Sequence, residues 1–426
     1  MLLMLADRPP VWGQERLVPI RLGRVYFLPS VTITHGWEDN VERLSEEDPV
    51  LGPIASGVGD VQPLLRFELP YRKSLVRLVY RGDFRTYSAD ILKEAGGMSH
   101  FLDFETHFEA GQRVRIDAAA RYADTITAML DTAPGGEYQY GTQPVEAREA
   151  RLGMAVDLGS TQSLEFGGAR VEAEFLPSPT SGAFTDNSLQ NLYFRYVLSS
   201  GPQNQIYVSW DRQDVQQNQN GLISVLQPEE YQIRSVGAGF RRSTGRNLSS
   251  EIRVAYSTSE FTGGIYTPFQ GLTVEGVVNL APSPQTQLQL KLRRAPLVSF
   301  FNVSAYYVNE GIELNVNRAL GRMLALRLVV GNQRNTYSDP ILATPIDQAY
   351  LLPSAGEIRQ DRITNASLAV FWHASRSMDL ILGYGHQQSR SNIEARGFDS
   401  LGQPYDYHIY DFENHGLSLS AVLGWQ

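Results

Sequence analysis

The final stretch of the chain, Asn414 to Gln426, sets apolar Leu417, Leu419, Ala421, Leu423 and Trp425 at every second position, with small or polar residues between them. Period two marks a strand whose two faces meet unlike environments. A final strand that carries an aromatic in its last turn is also how a membrane-spanning β-barrel closes. The rest of the chain decides between a barrel and an isolated hairpin.

The same split recurs along the sequence. Between Leu75 and Tyr87, Val76, Leu78, Tyr80 and Phe84 share one face, and Arg77, Arg81, Asp83 and Arg85 the other. Leu102, Phe104 and Phe108 oppose Asp103, Glu105 and His107; Val114, Ile116, Ala118 and Tyr122 oppose Arg113, Arg115, Asp117 and Arg121. Leu288, Leu290 and Leu292 later oppose Gln287, Gln289, Lys291 and Arg293. Strands of this kind cannot be buried on both sides.

Connection lengths are a second, independent signal. Tight turns at 71–74, 110–112, 200–202, 244–246, 282–284, 320–322 and 374–376 alternate with long connections near 39–58, 126–144, 176–189, 214–230, 336–360 and 390–407. Short and long ends therefore lie on opposite sides, as in a barrel with tight periplasmic turns and longer external loops. Hairpin counting predicts a closed, all-β antiparallel transmembrane barrel of about eighteen strands, with a range of about sixteen to eighteen. An even number places both termini in the periplasm. Alternation by itself does not say which face points outward. Size does, because so many strands enclose a lumen too wide for side chains to fill, which leaves the polar face inside and the apolar face toward lipid. No repeat of about forty residues suggests a propeller, and no linker divides a double sandwich.

Composition narrows the rest. In 426 residues there is no cysteine, which excludes disulfides, thiol catalysis and cysteinyl metal sites. The formal charge of -9 argues against a nucleic-acid surface. No run of about eighteen apolar residues marks a transmembrane helix. The domain reading is a periplasmic leader over residues 1–20, with Pro9, Pro10 and Pro19, followed by the outer-membrane barrel over 21–426. Met1 to Ala6 reads as the tail of an export segment that begins before the numbering; an ordinary N-terminus is the other reading. Aromatics near strand ends, among them Tyr26, Trp37, Tyr80, Trp210, Tyr256, Trp372, Tyr384 and Trp425, fit interfacial girdles, although aromatics favour strands in any case.

No catalytic constellation emerges. There is no phosphate-cradling loop, nucleophile elbow or paired-carboxylate motif, so no enzyme activity and no cofactor are expected. His100 and His107 fall at opposite ends and on opposite faces of one strand, so no metal site is assigned to them, and none is expected elsewhere. His386 and His415 approach one another near the last hairpin, where Ser389 or Ser420 would complete a hydrolase dyad; a solvated histidine is the ordinary outcome.

The candidate site is the pore wall. Arg66, Arg77, Arg81, Arg85, Arg113, Arg115 and Arg121 interleave with Glu68, Asp83, Asp103, Glu105 and Asp117 on neighbouring strands. Such a wall can set up a transverse field that sorts solutes by charge and dipole, or its charges can simply pair with one another. Loops 126–144 and 336–360 are long enough to fold inward. Their Tyr138, Tyr140, Tyr337 and Tyr350 offer ring faces for sugars to stack on.

The opening strand and its sequel, Arg21-Leu22-Gly23-Arg24 through Tyr26-Phe27-Leu28-Pro29-Ser30 to His35-Gly36-Trp37-Glu38-Asp39-Asn40-Val41, resemble the start of a family of β-barrel porins of Gram-negative outer membranes. Asn302-Val303-Ser304-Ala305-Tyr306-Tyr307-Val308-Asn309 looks like a strand opening in the same family. The resemblance spans residues 20–426, carries over no catalytic residue, and implies export of an exopolysaccharide across the outer membrane. The barrel reading makes outer-membrane lipid and the barrel-assembly machinery expected partners, the charge argues against nucleic acid, and the resemblance implies a periplasmic polysaccharide-export protein and the polysaccharide itself. A general diffusion porin and a non-conducting adhesive scaffold are the alternatives. Gln426 after Trp425 departs from the terminal aromatic usual in such barrels.

Overall fold

The computed structural model describes residues 19–47, 52–126, 144–176, 186–201, 203–218, 230–245, 247–262, 266–299, 304–340, 354, 356–398, 403–408 and 410–424. Two-faced segments can satisfy their backbone groups within a bilayer only if the sheet has no free edge, and here the sheet closes on itself. In chain order the strands are β1 (Ile20–Leu22), β2 (Val25–Glu38), β3 (Ser56–Tyr71), β4 (Ser74–Tyr87), β5 (Gly97–Ala110), β6 (Val114–Ile126), β7 (Pro144–Asp157), β8 (Gln162–Phe175), β9 (Asp186–Ser199), β10 (Asn204–Asn218) and β11 (Glu230–Thr244). They continue as β12 (Leu248–Phe261), β13 (Gln270–Ser283), β14 (Thr286–Val298), β15 (Tyr306–Ala319), β16 (Leu324–Pro340), β17 (Ile358–His373), β18 (Met378–Ser391), β19 (Glu394–Phe398), β20 (Pro404–His408) and β21 (Phe412–Gly424).

Each long strand pairs antiparallel with its neighbour, and β21 returns to β2 from Ser30↔Gly424 to Glu38↔Gly416. The 19-stranded sheet is thus an eighteen-stranded barrel with the short β1 added. β1 continues the seam beyond Gly424 by pairing with residues 25–27, across a turn in which Gly23 takes φ +65°, a conformation that costs glycine little. Among the described residues, pairing therefore begins at Ile20, just inside the expected leader. β19 and β20 form a separate hairpin in the connection between β18 and β21.

The tight turns share one rim with Ile20 and Gly424, and the long connections share the other. Three further connections on the long-loop rim, 88–96, 262–269 and 299–305, escape a reading by length because they are short enough to pass for part of a strand. The first holds a 3-10 turn at Asp90–Ala95.

Parity along the strands assigns the faces as expected. Outward positions carry exposed Leu65, Leu78, Phe104, Leu152, Leu192, Val208, Val236, Ile252, Leu272, Ile312, Leu368, Leu382 and Leu419, the composition of a lipid-facing belt. Trp37, Trp210, Tyr256, Trp372 and Tyr384 are outward and exposed, in keeping with girdles, whereas Tyr26 lies opposite Glu68 on the inward face. Trp425 lies outside the described residues. The strands of the barrel run from 13 to 17 residues, longer than the roughly 9–11 a tilted crossing needs. The surplus shows on the long-loop side, where outward positions turn charged and pair: Arg148 with Glu146, Arg170 with Glu172, Arg234 with Glu260 and Arg294 with Glu310.

Candidate functional site: a charge-lined lumen

Inward positions on β3 to β7 bring together most of the expected charges. Arg77 bonds Glu68 at 2.9 Å and Glu105 at 3.2 Å, while Arg66 bonds the same Glu68 oxygen at 2.5 Å. Arg85 forks onto Asp60 at 2.8 and 2.9 Å, and Asp83 accepts from Gln62 Nε2 at 2.8 Å. Arg121 lies between Asp103 at 3.3 Å, Glu105 at 3.7 Å and Glu149 at 3.9 Å. Asp117 engages His107 at 2.7 Å, and Arg81 stacks over the Phe101 ring at 4.0 Å. Arg115 is exposed at the tight-turn end. Arg113 is a correction: it sits in the turn between β5 and β6, not on the wall, because the strand starts one residue later.

Beyond the candidate residues on β3 to β6, the charged belt continues to β15. Arg241 on β11 reaches past β10 and β9 to Glu165 on β8, with paired bonds of 2.7 and 3.2 Å, and also meets Glu251 at 3.1 Å. Arg253 bonds Asp211 and Ser209 on β10 and approaches Glu275 at 3.5 Å; Lys291 meets Glu313 at 3.1 Å. These residues alternate with apolar neighbours just as the earlier ones do, so parity carried past β6 finds them. Pairs that skip strands have no sequence signal.

Half a circuit away from β8 to β11, the wall changes character. Around the middle of β17, β18, β21 and β2, the inward positions are Asn365, Ser367 and Ala369; Gly383 and Gly385; Gly416, Ser418 and Ser420; and Thr32, Thr34 and Gly36. Thr34 and Ser420 share a 2.8 Å hydrogen bond across the seam. Charges of both signs thus face a smooth wall of hydroxyls and bare backbone.

Toward the long-loop rim the lumen fills. The two ends of the 299–305 connection pack against β10 and β11: Gln217 donates to the Ser299 carbonyl at 3.1 Å and Tyr231 to that of Ala305 at 3.0 Å. Around them Val171, Leu189, Val215, Ile233, Phe269 and Tyr306 form a buried apolar cluster. A second cluster packs Val41 and Leu92 from two connections onto inward Val58 and Tyr87. Nearby, Arg43, at φ 57°, donates to Gln387 on β18 at 2.9 Å.

Tyr337 departs from expectation. It is not in a loop but on β16, 2% exposed, packed against Tyr307 and under Arg359, whose guanidinium lies 4.6 Å from its ring centre. It offers no open ring face to a sugar, because β16 extends to Pro340 and its inward side is covered there. Tyr138, Tyr140 and Tyr350 lie outside the described residues, as do most of loop 126–144 and much of 336–360. His386 and His415 do meet, with ring centroids 4.7 Å apart, but on the outward face; Ser389 and Ser420 lie on the inward face and join neither.

No curated protein matches the sequence. Among solved structures, the outer membrane protein OpdK of Pseudomonas aeruginosa is similar at TM-score 0.46 and 11% identity, covering 94% of this chain and 99% of its own. OccK2 (OpdF) of the same organism, solved in complex with glucuronate, gives TM-score 0.48 and 9% identity over 94% of this chain and 98% of its own. The alcaligin receptor FauA of Bordetella pertussis gives TM-score 0.38 and 10% identity over 95% of this chain and 76% of its own. The family model described as "Putative beta-barrel porin 2" matches residues 17–402. The chain therefore belongs to that porin family and is a β-barrel of the bacterial outer membrane.

Proposed function

We propose that the barrel is a channel for hydroxyl-rich solutes of low net charge, of which carbohydrate is the chemical class. The observation that supports this reading is the pairing of unlike walls. On one side arginines and carboxylates largely compensate each other, as in the Arg77, Glu68 and Glu105 group and the Arg241, Glu165 and Glu251 group. Across from the second group are glycines and hydroxyls. A field without large net charge orients dipoles and exchanges hydrogen bonds with hydroxyls while excluding neither ion sign. The exopolysaccharide conduit implied by the family resemblance is the polymeric form of this proposal, with both termini periplasmic and the leader available to a periplasmic partner.

Single-channel conductance of the refolded protein in a planar bilayer tests it, with neutral and acidic oligosaccharides of increasing length added to each side. Block by neutral sugars that deepens with chain length supports a carbohydrate conduit. Large steps that no sugar alters would sink the proposal in favour of a general porin. Silence of a folded barrel would point to a scaffold.

A further inference from the structure

On the outer surface of the barrel, toward the long-loop rim, three ligand-type side chains converge. Glu413 and His415 are two residues apart on β21 and therefore share a face; His386 lies directly opposite His415 on β18. His415 Nε2 is 3.1 Å from Glu413 Oε1, His386 Nδ1 is 3.8 Å from the same oxygen, and all three ligand atoms lie within 4.8 Å of one another. We propose that His386, Glu413 and His415 bind a borderline transition-metal ion, with Zn2+ the best fit.

Two observations carry this beyond an ordinary histidine–carboxylate pair. First, a hydrogen bond to Glu413 accounts for His415 but not for His386, whose Nδ1 is buried and makes no hydrogen bond. A buried imidazole nitrogen without a hydrogen bond is costly in a protein, and a metal ion satisfies it. Second, the ligands are already oriented from behind. With His415 Nε2 on the metal, its Nδ1–H donates to the Tyr384 hydroxyl at 2.9 Å, which fixes tautomer and ring angle. Gln388 donates to Glu413 Oε2 at 3.4 Å, leaving Oε1 directed at the histidines.

Two imidazoles and one carboxylate favour Zn2+ over Mg2+ or Ca2+, which prefer sets made of oxygen alone. The side chains are only partly exposed, at 24%, 31% and 39% for His386, Glu413 and His415. Glu413 and His415 also line a cavity of about 410 Å³ with Asp39, Asn40, Glu46 and Pro53, which gives the remaining coordination position access to water. The ion would tie β21, the strand that closes the seam with β2, to β18.

The test uses the full barrel without a polyhistidine tag, refolded in detergent, and Zn2+ alone as the probe. Equilibrium dialysis with metal analysis is expected to give one Zn2+ per chain, and Co2+ in its place a tetrahedral d–d absorption band. The His386→Ala/His415→Ala variant, shown to be folded by its heat-modifiable electrophoretic mobility, is expected to lose both. Tyr384→Phe is expected to weaken Zn2+ about tenfold while keeping one site, because Tyr384 positions a ligand without being one. Should the double variant fail to fold, Zn2+ protection of His386 and His415 from diethylpyrocarbonate in the unaltered protein, read by mass spectrometry, replaces it. Undiminished binding in the folded double variant, absent protection, or equal competition by Ca2+ would overturn the proposal.

Discussion

Tyr207 on β10 lies over the bare backbone of Gly239 on β11, its partner in register, so closely that a Cβ at Gly239 would collide with the ring. The ring then extends along the wall so that its hydroxyl donates to Glu251 at 2.8 Å. Arg241 and Arg195 flank it at 4.9 and 5.4 Å from the ring centre. Gly239 is thus the space that lets the charged belt assemble around an aromatic.

Replacing Gly239 with alanine is expected to destabilise the barrel by about 1–3 kcal/mol, since Tyr207 must shift. Tyr207→Phe keeps the ring in place and is expected to cost about 2 kcal/mol through the lost bond to a carboxylate. Urea unfolding in lipid vesicles measures both. Gly385, where a Cβ would meet open space, is the control. Equal effects of Gly239→Ala and Gly385→Ala would contradict the steric account.

Arg241 bridges two carboxylates along the wall, so Arg241→Gln is expected to leave Glu165 and Glu251 less compensated. The reversal potential in a salt gradient should move toward cation selectivity. A second change, Glu165→Gln, should bring it part of the way back. An unaltered reversal potential would mean that ions do not pass this point.

The ends of the 299–305 connection hang on Gln217 and Tyr231. Gln217→Ala with Tyr231→Phe is expected to loosen them and raise single-channel conductance while the barrel stays folded. Unchanged conductance would place the narrowest point elsewhere.

Arg359 is 1% exposed, stacked 3.5 Å from the Tyr410 ring centre and paired with Asp361 at 2.7 Å. Arg359→Ala leaves that carboxylate buried without its cation, an expected loss of about 3–5 kcal/mol. Asp361→Asn in the same chain should recover part of it, as read by the urea midpoint.

Two carboxylates beyond the membrane respond to pH in opposite senses. Asp406 pairs with Arg396 across the β19–β20 hairpin, and that hydrogen bond holds its carboxyl below the usual range. Its contribution is present above the ordinary carboxylate pKa and is lost as pH falls through the lowered one. Asp411 is pushed upward by burial, so its contribution is full below the ordinary pKa and fades as pH rises through the raised one. Amide protection factors in the hairpin, each taken against the intrinsic exchange rate at the same pH, should therefore fall on acidification. Asp411→Asn should flatten the opposite trend around Ser391, whose N–H donates to Asp411 at 2.5 Å.

Period two in stretches such as 75–87 and 287–293 determined the strand faces, and the alternation of turn lengths determined the up-and-down order. Both are local properties: side chains alternate along any strand, and a tight turn can only join neighbours. The choice of lipid for the apolar face also followed from sequence, through strand number and lumen width. Hairpin register brings His386 and His415 near each other on paper, but their outward placement beside Glu413 needed the paired strands.

What needed the closed barrel were relations between residues distant in sequence. Arg241 with Glu165, Gln217 with Ser299, and Arg43 with Gln387 lie far apart along the chain and meet because the wall curves or a connection folds inward. No periodicity records which connection does so: the described opening residues of 336–360 extend β16, while the shorter 299–305 packs its ends onto Gln217 and Tyr231. Strand patterning is set by each residue's immediate neighbours, whereas the lining of the pore is set by what closure places across from it.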